Sequence, residues 1–398
     1  VYLLWKLPQA GLRPEQSFQR RLWNKLCRIF DKFRLHKIQS SVSVIINIRA
    51  LSRLRGMQNL NIGTRPPNTI NLLRKKHFVF FLAPNFSMIA FTMALEPLRL
   101  TNRYYGQEVY TWRVISADGN PVAASNRVSC SVDGSLEEER ARIHVGEQAD
   151  MIFVCSGVGI ENYHNEKLNG WLRASLRRKI SLAGLCTGAW ILADAGILDG
   201  KRCAIHWETL PGFAERFPEA NVFADLFEFD DNIYTCAGGT AALDLVLHLI
   251  DQDHDTNVVN RVCELCLTDR VRDPRDRQRL PLRVRLGVQN SKLLTIIERM
   301  EVNLSEPVSL MEIAGSVGLS RRQIERLFHK NLGRSPARYY LELRLDRARH
   351  LLLQSDIPIV EVGVACGFVS ASHFSKCYRE LYSRSPQQER QQRETLPA

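Results

Sequence analysis

Two stretches near the carboxyl end share one layout, and this duplication restricts the fold more than any other feature of the chain. The first is SLMEIAGSVGLSRRQIERLFHKNLGRSP, residues 309–336. The second is PIVEVGVACGFVSASHFSKCYRELYSRSP, residues 358–386. Each begins with apolar residues at helical spacing, turns at Gly318 or Gly367, and opens a second helix at Ser320 or Ser370. Serine suits that position because its oxygen accepts from free backbone N–H groups. The second helices carry Ile324, Leu327 and Phe328, and then Phe374, Cys377, Tyr378 and Leu381, again at helical spacing. Each unit closes near Arg-Ser-Pro, where proline is expected to arrest the helix. The layout is a helix-turn-helix, present twice.

Residues 335–355, SPARYYLELRLDRARHLLLQS, lie between the two units and place Leu341, Leu345, Ala348, Leu351 and Leu352 on one face. A helix of about 18 residues is ~27 Å long. It can hold two reading helices apart at about one turn of DNA, ~34 Å. One chain can then read two successive major-groove segments without dimerising.

Upstream, strand-like runs start at His77 (HFVFFLA), Val109, Asp150, Lys179, Cys203 and Asn232, with a helical stretch at 86–105 after the first. Helical patterns at 160–177, 186–195, 207–217 and 239–252 separate several of the later runs. Such alternation implies a mostly parallel sheet covered on both faces, a flavodoxin-like sandwich. Ligands of such folds bind at the carboxyl ends of the strands. Gly184-Leu185-Cys186-Thr187-Gly188 lies at such an end, between a strand and a helix. A Gly-x-nucleophile-x-Gly turn in that place pushes a reactive side chain into a cleft. A thiol, however, ordinarily titrates at about 8.5 and needs a base, a cation or a helix N-terminus to be activated. The elbow itself supplies only the helix N-terminus; His206 is the candidate base, at the end of a strand.

LCTGAWILADAGILDGKRCAIHW (185–207) and TCAGGTAALDLVLHLI (235–250) resemble the class I glutamine amidotransferase-like, PfpI-like superfamily, and the resemblance spans about residues 77–255. It implies a nucleophilic role for the elbow cysteine in the enzymes of that superfamily. The protease-like branch has a histidine directly after it, where this chain has Thr187. The isocyanide-hydratase-like branch has threonine there, but with an acid from the first helix facing the thiol. In this chain that acid would fall near Ala90, and Glu96 matches a later acid of the pattern. Cys186 is therefore expected to line a pocket rather than to react. The ligand-binding set expected with it is Thr187, His206, Trp207, Phe86 and Glu96. Trp207, Phe86 and Trp190 are the aromatic faces available to a cationic nitrogen.

The helical region resembles the AraC/XylS family over about residues 292–390. The residues that carry this are Ile313-Ala314, Val317-Gly318-Leu319-Ser320, Arg326-Leu327-Phe328, Gly333-x-Ser335-Pro336, Arg344-Leu345, Ala348-Arg349, Cys366-Gly367-Phe368 and Ser372-His373-Phe374-Ser375. Tyr382-Ser383 departs from the usual Phe-Gly. The resemblance implies that Arg322, Glu325 and Arg326, beside Arg321, face bases on the first recognition helix. Ala371, Ser372, His373 and Lys376 take the corresponding places on the second. Arginine pairs bidentately with guanine and glutamate accepts from cytosine. Arg338 and Arg379 are expected on phosphates, which position without specifying. The two halves together resemble the GlxA-like branch of the AraC family. FSMIAFTMALEPLRLTNR and SASHFSKCYRE are most similar to regulators of arginine, carnitine or glycine betaine breakdown.

Charge does not carry the nucleic-acid reading. The net charge is +12, but the first 76 residues hold sixteen Lys/Arg against two Asp/Glu, while residues 77–267 hold fifteen against twenty-five. The chain begins with Val and its first methionine is Met57, so the translated start is expected near there, with residues 1–76 otherwise a basic extension. Residues 268–289 are expected to be a charged, solvated linker, 290–390 the DNA-binding domain and 391–398 a tail. No apolar run approaches the roughly 18 residues that suggest a membrane span, so no membrane partner is expected. Ten scattered cysteines fit a reducing cytoplasm. Cys263-x-x-Cys266 lacks the second pair of a zinc ribbon, and neither metal nor cofactor is expected.

The expected function is that of a DNA-binding transcription regulator, an activator of a catabolic operon that responds to an amino acid or quaternary amine. Its partners would be double-stranded DNA, RNA polymerase, the effector, and a second copy through the middle domain. The enzymatic alternative is a thiol-dependent hydrolase or hydratase using Cys186 and His206. The missing acid at Ala90 weighs against it. A ligand-free architectural DNA-binding protein is a third reading, disfavoured by the large pocket-forming domain.

Overall fold

The computed structural model describes residues 74–142 and 146–395. The expectations about the basic extension and the translated start lie outside the described residues, apart from 74–76. Among the described residues seven strands form the main sheet: β1 (Lys76–Leu82), β2 (Tyr110–Ser116), β5 (Gly134–Ser135), β6 (Met151–Ser156), β7 (Ser181–Cys186), β10 (Phe227–Asp230) and β11 (Ile233–Cys236), while β3 (Val122–Ala123) and β4 (Ser129–Cys130) lie outside it. The order across the main sheet is β10-β11-β7-β6-β1-β2-β5. Every pairing is parallel except β10 with β11. The central strands β1, β6 and β7 read as continuous apolar runs because both faces are covered. Phe78, Phe80 and Phe153 fill one face, while Val79, Phe81, Ile152 and Leu182 fill the other.

The run at Cys203 behaves differently from the other strand candidates. Only Arg202–Ala204 is extended, as β8, and it pairs with β9 (Asn221–Phe223) in a separate two-stranded sheet. His206 therefore stands in the loop beyond the strand rather than at its end. That loop turns at once into the helix Leu210–Arg216.

The helical region has two cores. One gathers Leu282, Leu293, Ile297, Ile313, Ile324 and Phe328. The other gathers Val362, Cys366, Phe368, Phe374 and Tyr378. The connecting helix Pro336–Gln354 serves both: Tyr339 and Tyr340 enter the first core, while Leu345, Ala348, Leu351 and Leu352 enter the second. At 19 residues it spans ~28 Å.

The charged stretch 268–289 is largely exposed, as expected, but it is anchored rather than free. Arg272 clamps Asp244 through two guanidinium nitrogens at 2.9 and 2.6 Å. The Gln278 amide donates to the carbonyls of Ile205 and Asp225 at 2.9 and 2.8 Å, and the Leu226 N–H donates to the Pro274 carbonyl at 2.9 Å. Leu282 and Val288 are buried in the first helical core. These three ties, from Arg272, Gln278 and Leu226, fix the stretch to the sheet-bearing domain at separate points. The closing helix Pro386–Thr395 runs on into the stretch read as a tail.

Candidate ligand pocket and DNA-reading surface

At the elbow β7 ends on Cys186, whose φ of 61° is unusual for any residue with a side chain. The helix Gly188–Asp194 starts two residues later. Gly188 is required by contact: a Cβ there would lie 2.2 Å from the Val154 carbonyl oxygen. The strand-to-helix turn is therefore as tight as the Gly-x-Cys-x-Gly pattern suggests. The environment of the sulfur is not that of an activated nucleophile. Burial, followed by neighbouring Cys236, pushes the Cys186 thiol up to about 12. The Thr187 backbone N–H and the Ser87 hydroxyl pull the other way, but less.

Ser87 is the residue that the sequence reading missed. It caps the helix Met88–Tyr105 by accepting from the Ala90 N–H, and it reaches the thiol from three residues before the position at which the resemblance places an acid. Its signal was an N-cap serine directly before an apolar helix. Ala90 itself is buried.

The expected pocket residues separate into groups. Cys186, Thr187 and His206 come together. The His206 N–H donates to the Cys186 carbonyl at 3.3 Å. The Thr187 hydroxyl is held between Ser156 Oγ and the Gly157 carbonyl, both at 2.8 Å. Burial lowers the His206 imidazole below its usual range, with Glu208 opposing. Among the described residues no hydrogen bond joins the His206 ring to the thiol. Its Nδ1 accepts instead from the Glu208 N–H at 3.4 Å.

Of the remaining three, Phe86 lies near the elbow, in the same core as Cys186 and paired with Gly157, while Glu96 and Trp207 lie elsewhere. Phe86 is fully buried, edge-on to Phe91 in the core. Glu96 stands nine residues beyond Ser87, ~13 Å further along the helix, where it pairs with Arg99 at 2.5 Å. Trp207 points to the helical region. Arg279 covers its face at 4.5 Å, and His350 of the connecting helix meets it edge-on at 6.3 Å. Trp190 packs between Phe213 and Phe217 as plain core. None of the three aromatics thus offers a free face beside the thiol.

The reading helices begin where the serines predicted. Ser320 caps Arg321–Leu332 with a reciprocal capping box through Gln323, and Ser370 caps Ala371–Tyr382. Arg321, Arg322 and Arg326 are exposed, and Glu325 pairs with Arg321 at 3.1 Å. On the second helix Ala371, Ser372, His373 and Lys376 are exposed. The His373 ring lies 3.3 Å from the Cys377 sulfur and leans on Phe368. Ser372, Ser375, Lys376, Arg379 and Glu380 border a surface groove of about 480 Å³. Arg338 is tied to Glu342 at 2.9 Å.

Arg-Ser-Pro does not arrest the helix before it. Ser335 and Pro336 begin the connecting helix, with Pro at its first position, where a missing N–H is harmless. The preceding helices end on left-handed residues, Gly333 at φ 66° and Ser383 at φ 58°. Two arginines of the connecting helix have structural work. Arg344 donates to the carbonyls of Cys366 and Gly367, both at 2.7 Å, and lies over the Phe368 ring. Arg349 pairs with buried Glu389 of the closing helix at 3.1 Å. Among the described residues no cluster of three or more His, Cys, Asp or Glu could hold a metal ion, and no helix is long and apolar enough to cross a membrane.

A helix-turn-helix domain model matches residues 313–392, and a DJ-1/PfpI family model matches residues 76–252. The HTH-type transcriptional regulator GbdR of Pseudomonas aeruginosa is 44% identical over 312 residues, which cover 78% of this chain and 83% of the relative. The HTH-type transcriptional regulator GlxA of Rhizobium meliloti is 34% identical over 308 residues, 77% of this chain and 93% of the relative. A solved AraC family transcriptional regulator from Pseudomonas putida is 26% identical, with a TM-score of 0.43, covering 48% of this chain and 99% of that one.

Proposed function

The chain belongs to the AraC family of transcription regulators that carry a DJ-1/PfpI-type domain, and on that premise we propose how its two halves work together. The chain is a DNA-binding regulator rather than an enzyme. In our reading it acts in the cytoplasm as an activator of catabolic genes, in contact with RNA polymerase and paired through its DJ-1/PfpI-type domain. Arg322, Glu325 and Arg326 read one major-groove segment, and Ser372, His373 and Lys376 read the next. A small amino acid or quaternary amine binds at the Cys186 end of the sheet, against the thiol, Ser87 and His206.

One observation carries this reading: an unbroken path of contacts from the elbow to the connecting helix. The Cys186 carbonyl holds the His206 N–H. Trp207, the next residue, packs against Arg279 of the linker and His350 of the connecting helix. The Glu208 carbonyl accepts from the Gln354 amide at 2.8 Å. A ligand that moves the His206 loop therefore acts on the helix that both reading units share. A ligand shifts such an equilibrium only by its difference in affinity for the two states.

The test is a panel of amino acids and quaternary amines, read by thermal shift and by operator-DNA affinity, on the parent chain and on Cys186→Ala. Expected is one ligand that stabilises the chain, changes DNA affinity and is recovered unchanged. A compound consumed by the parent and left intact by the variant would overturn the reading in favour of a thiol-dependent hydrolase or hydratase.

A further inference from the structure

Between the linker and the first helices of the DNA-binding region lies a cleft of about 650 Å³, away from the cysteine elbow. Five arginines line it: Arg270, Arg272, Arg277, Arg279 and Arg283. The acids on its wall are Asp276 and Glu298. Arg272 is already neutralised by Asp244. Arg279 is committed to the Trp207 face and carries no carboxylate. Among the described residues the guanidinium groups of Arg270, Arg277 and Arg283 have no hydrogen-bonding or ionic partner. The cleft thus keeps an excess of positive charge that the protein does not compensate.

Like charges gathered in a concave, partly apolar space repel one another, and their field is focused by the low-dielectric walls. Burial, and after it the charge of Arg285 outside the cleft, pull Arg279 below its usual range. Leu226 of the sheet-bearing domain, Leu282 of the linker and Leu294 of the next helix supply the apolar wall. Guanidinium groups match the oxygens of phosphates and carboxylates in a planar, bidentate geometry.

We propose that this cleft binds a small multivalent anion, a phosphorylated or polycarboxylate metabolite, held by Arg270, Arg277 and Arg283. A duplex ~20 Å across does not enter a cleft of this size, whereas a molecule of pyrophosphate or citrate dimensions does, within the usual range of small-molecule sites. Because the lining comes from the sheet-bearing domain, the linker and the helical region together, the bound anion would cross-link the joint between them. The cleft is distinct from the elbow, and neither Cys186 nor His206 lines it.

The experiment uses the full chain, with pyrophosphate and citrate as probes and chloride at matched ionic strength as the reference. Binding is read by calorimetry and melting temperature in the parent, in the Arg277→Gln/Arg283→Gln pair and in the exposed-surface control Arg140→Gln. Glutamine keeps most of each side-chain stem, and the unliganded melting temperature reports whether the variant folds. The Arg277→Lys/Arg283→Lys pair serves in its place if it does not. Expected is saturable binding of one probe or both, at least tenfold weaker in the pair and unchanged in the control; which probe binds identifies the anion class. Equal binding in parent and pair, or no effect beyond that of chloride, would overturn the site. So would a pair that loses operator affinity and salt dependence while neither probe binds the parent, since the occupant would then be a DNA phosphate.

Discussion

Cys186 combines a reactive-looking backbone with an unreactive sulfur. Its left-handed φ and the tight glycine contacts belong to an elbow that presents a nucleophile. Burial nevertheless keeps the thiol protonated at neutral pH. Iodoacetamide at pH 7.5 is therefore expected to modify the half-buried Cys266 well before Cys186 in the folded chain, read by peptide mass spectrometry. Fast labelling of Cys186 would mean an activated thiolate. The same shift predicts alkaline sensitivity. A thiol raised from about 9 unfolded to about 12 folded contributes stability that is complete below pH 9 and is lost as pH rises toward 12. The melting temperature should fall over that window, and less steeply in Cys186→Ala.

At the DNA face, Arg322→Ala should cost about 1–3 kcal/mol of operator affinity and relax the preference at one base pair. Arg379→Ala should weaken all sequences alike and lower the salt slope by about 1. Equal losses on operator and random DNA for Arg322→Ala would remove it from the reading set.

At the scale of elements, the two helix-turn-helix units differ at their closing residue. Gly333 takes the left-handed conformation at no steric cost, whereas Ser383 adopts the same φ with a Cβ. Ser383→Gly is expected to stabilise the second unit by about 1 kcal/mol, seen as a higher melting temperature with DNA affinity unchanged. Most boundaries of this region were legible beforehand, because capping serines, turn glycines and apolar spacing act within a few residues. Arg-Ser-Pro opens the following helix instead of arresting the one before it, for an equally local reason. Proline forbids a helix behind it and favours one ahead, and only the observed helix at Pro336–Gln354 shows which applies.

At the scale of the molecule, the joint between the sheet-bearing domain and the DNA-reading region rests on close packing of Gly212 against Gln354. A Cβ at Gly212 would lie 2.7 Å from Gln354 Cβ. Gly212→Ala should therefore loosen the connecting helix from Leu210–Arg216. The expected outcome is DNA binding that no longer responds to the effector, with faster proteolysis within 268–289. Retained effector response in a folded variant would show that coupling runs by another route.

The periodicities, caps and glycine spacings of the sequence by themselves determined a mostly parallel sheet with a cysteine elbow and a duplicated helix-turn-helix on one long helix. Each of these follows from interactions among near neighbours in the chain. Only the tertiary structure decided that Ser87 meets the thiol, that Glu96 lies away from it and that Trp207 faces His350. It also decided that the linker arginines converge on a cleft. Those outcomes depend on how packed strands and helices bring residues together across long stretches of chain, and no local pattern encodes that convergence.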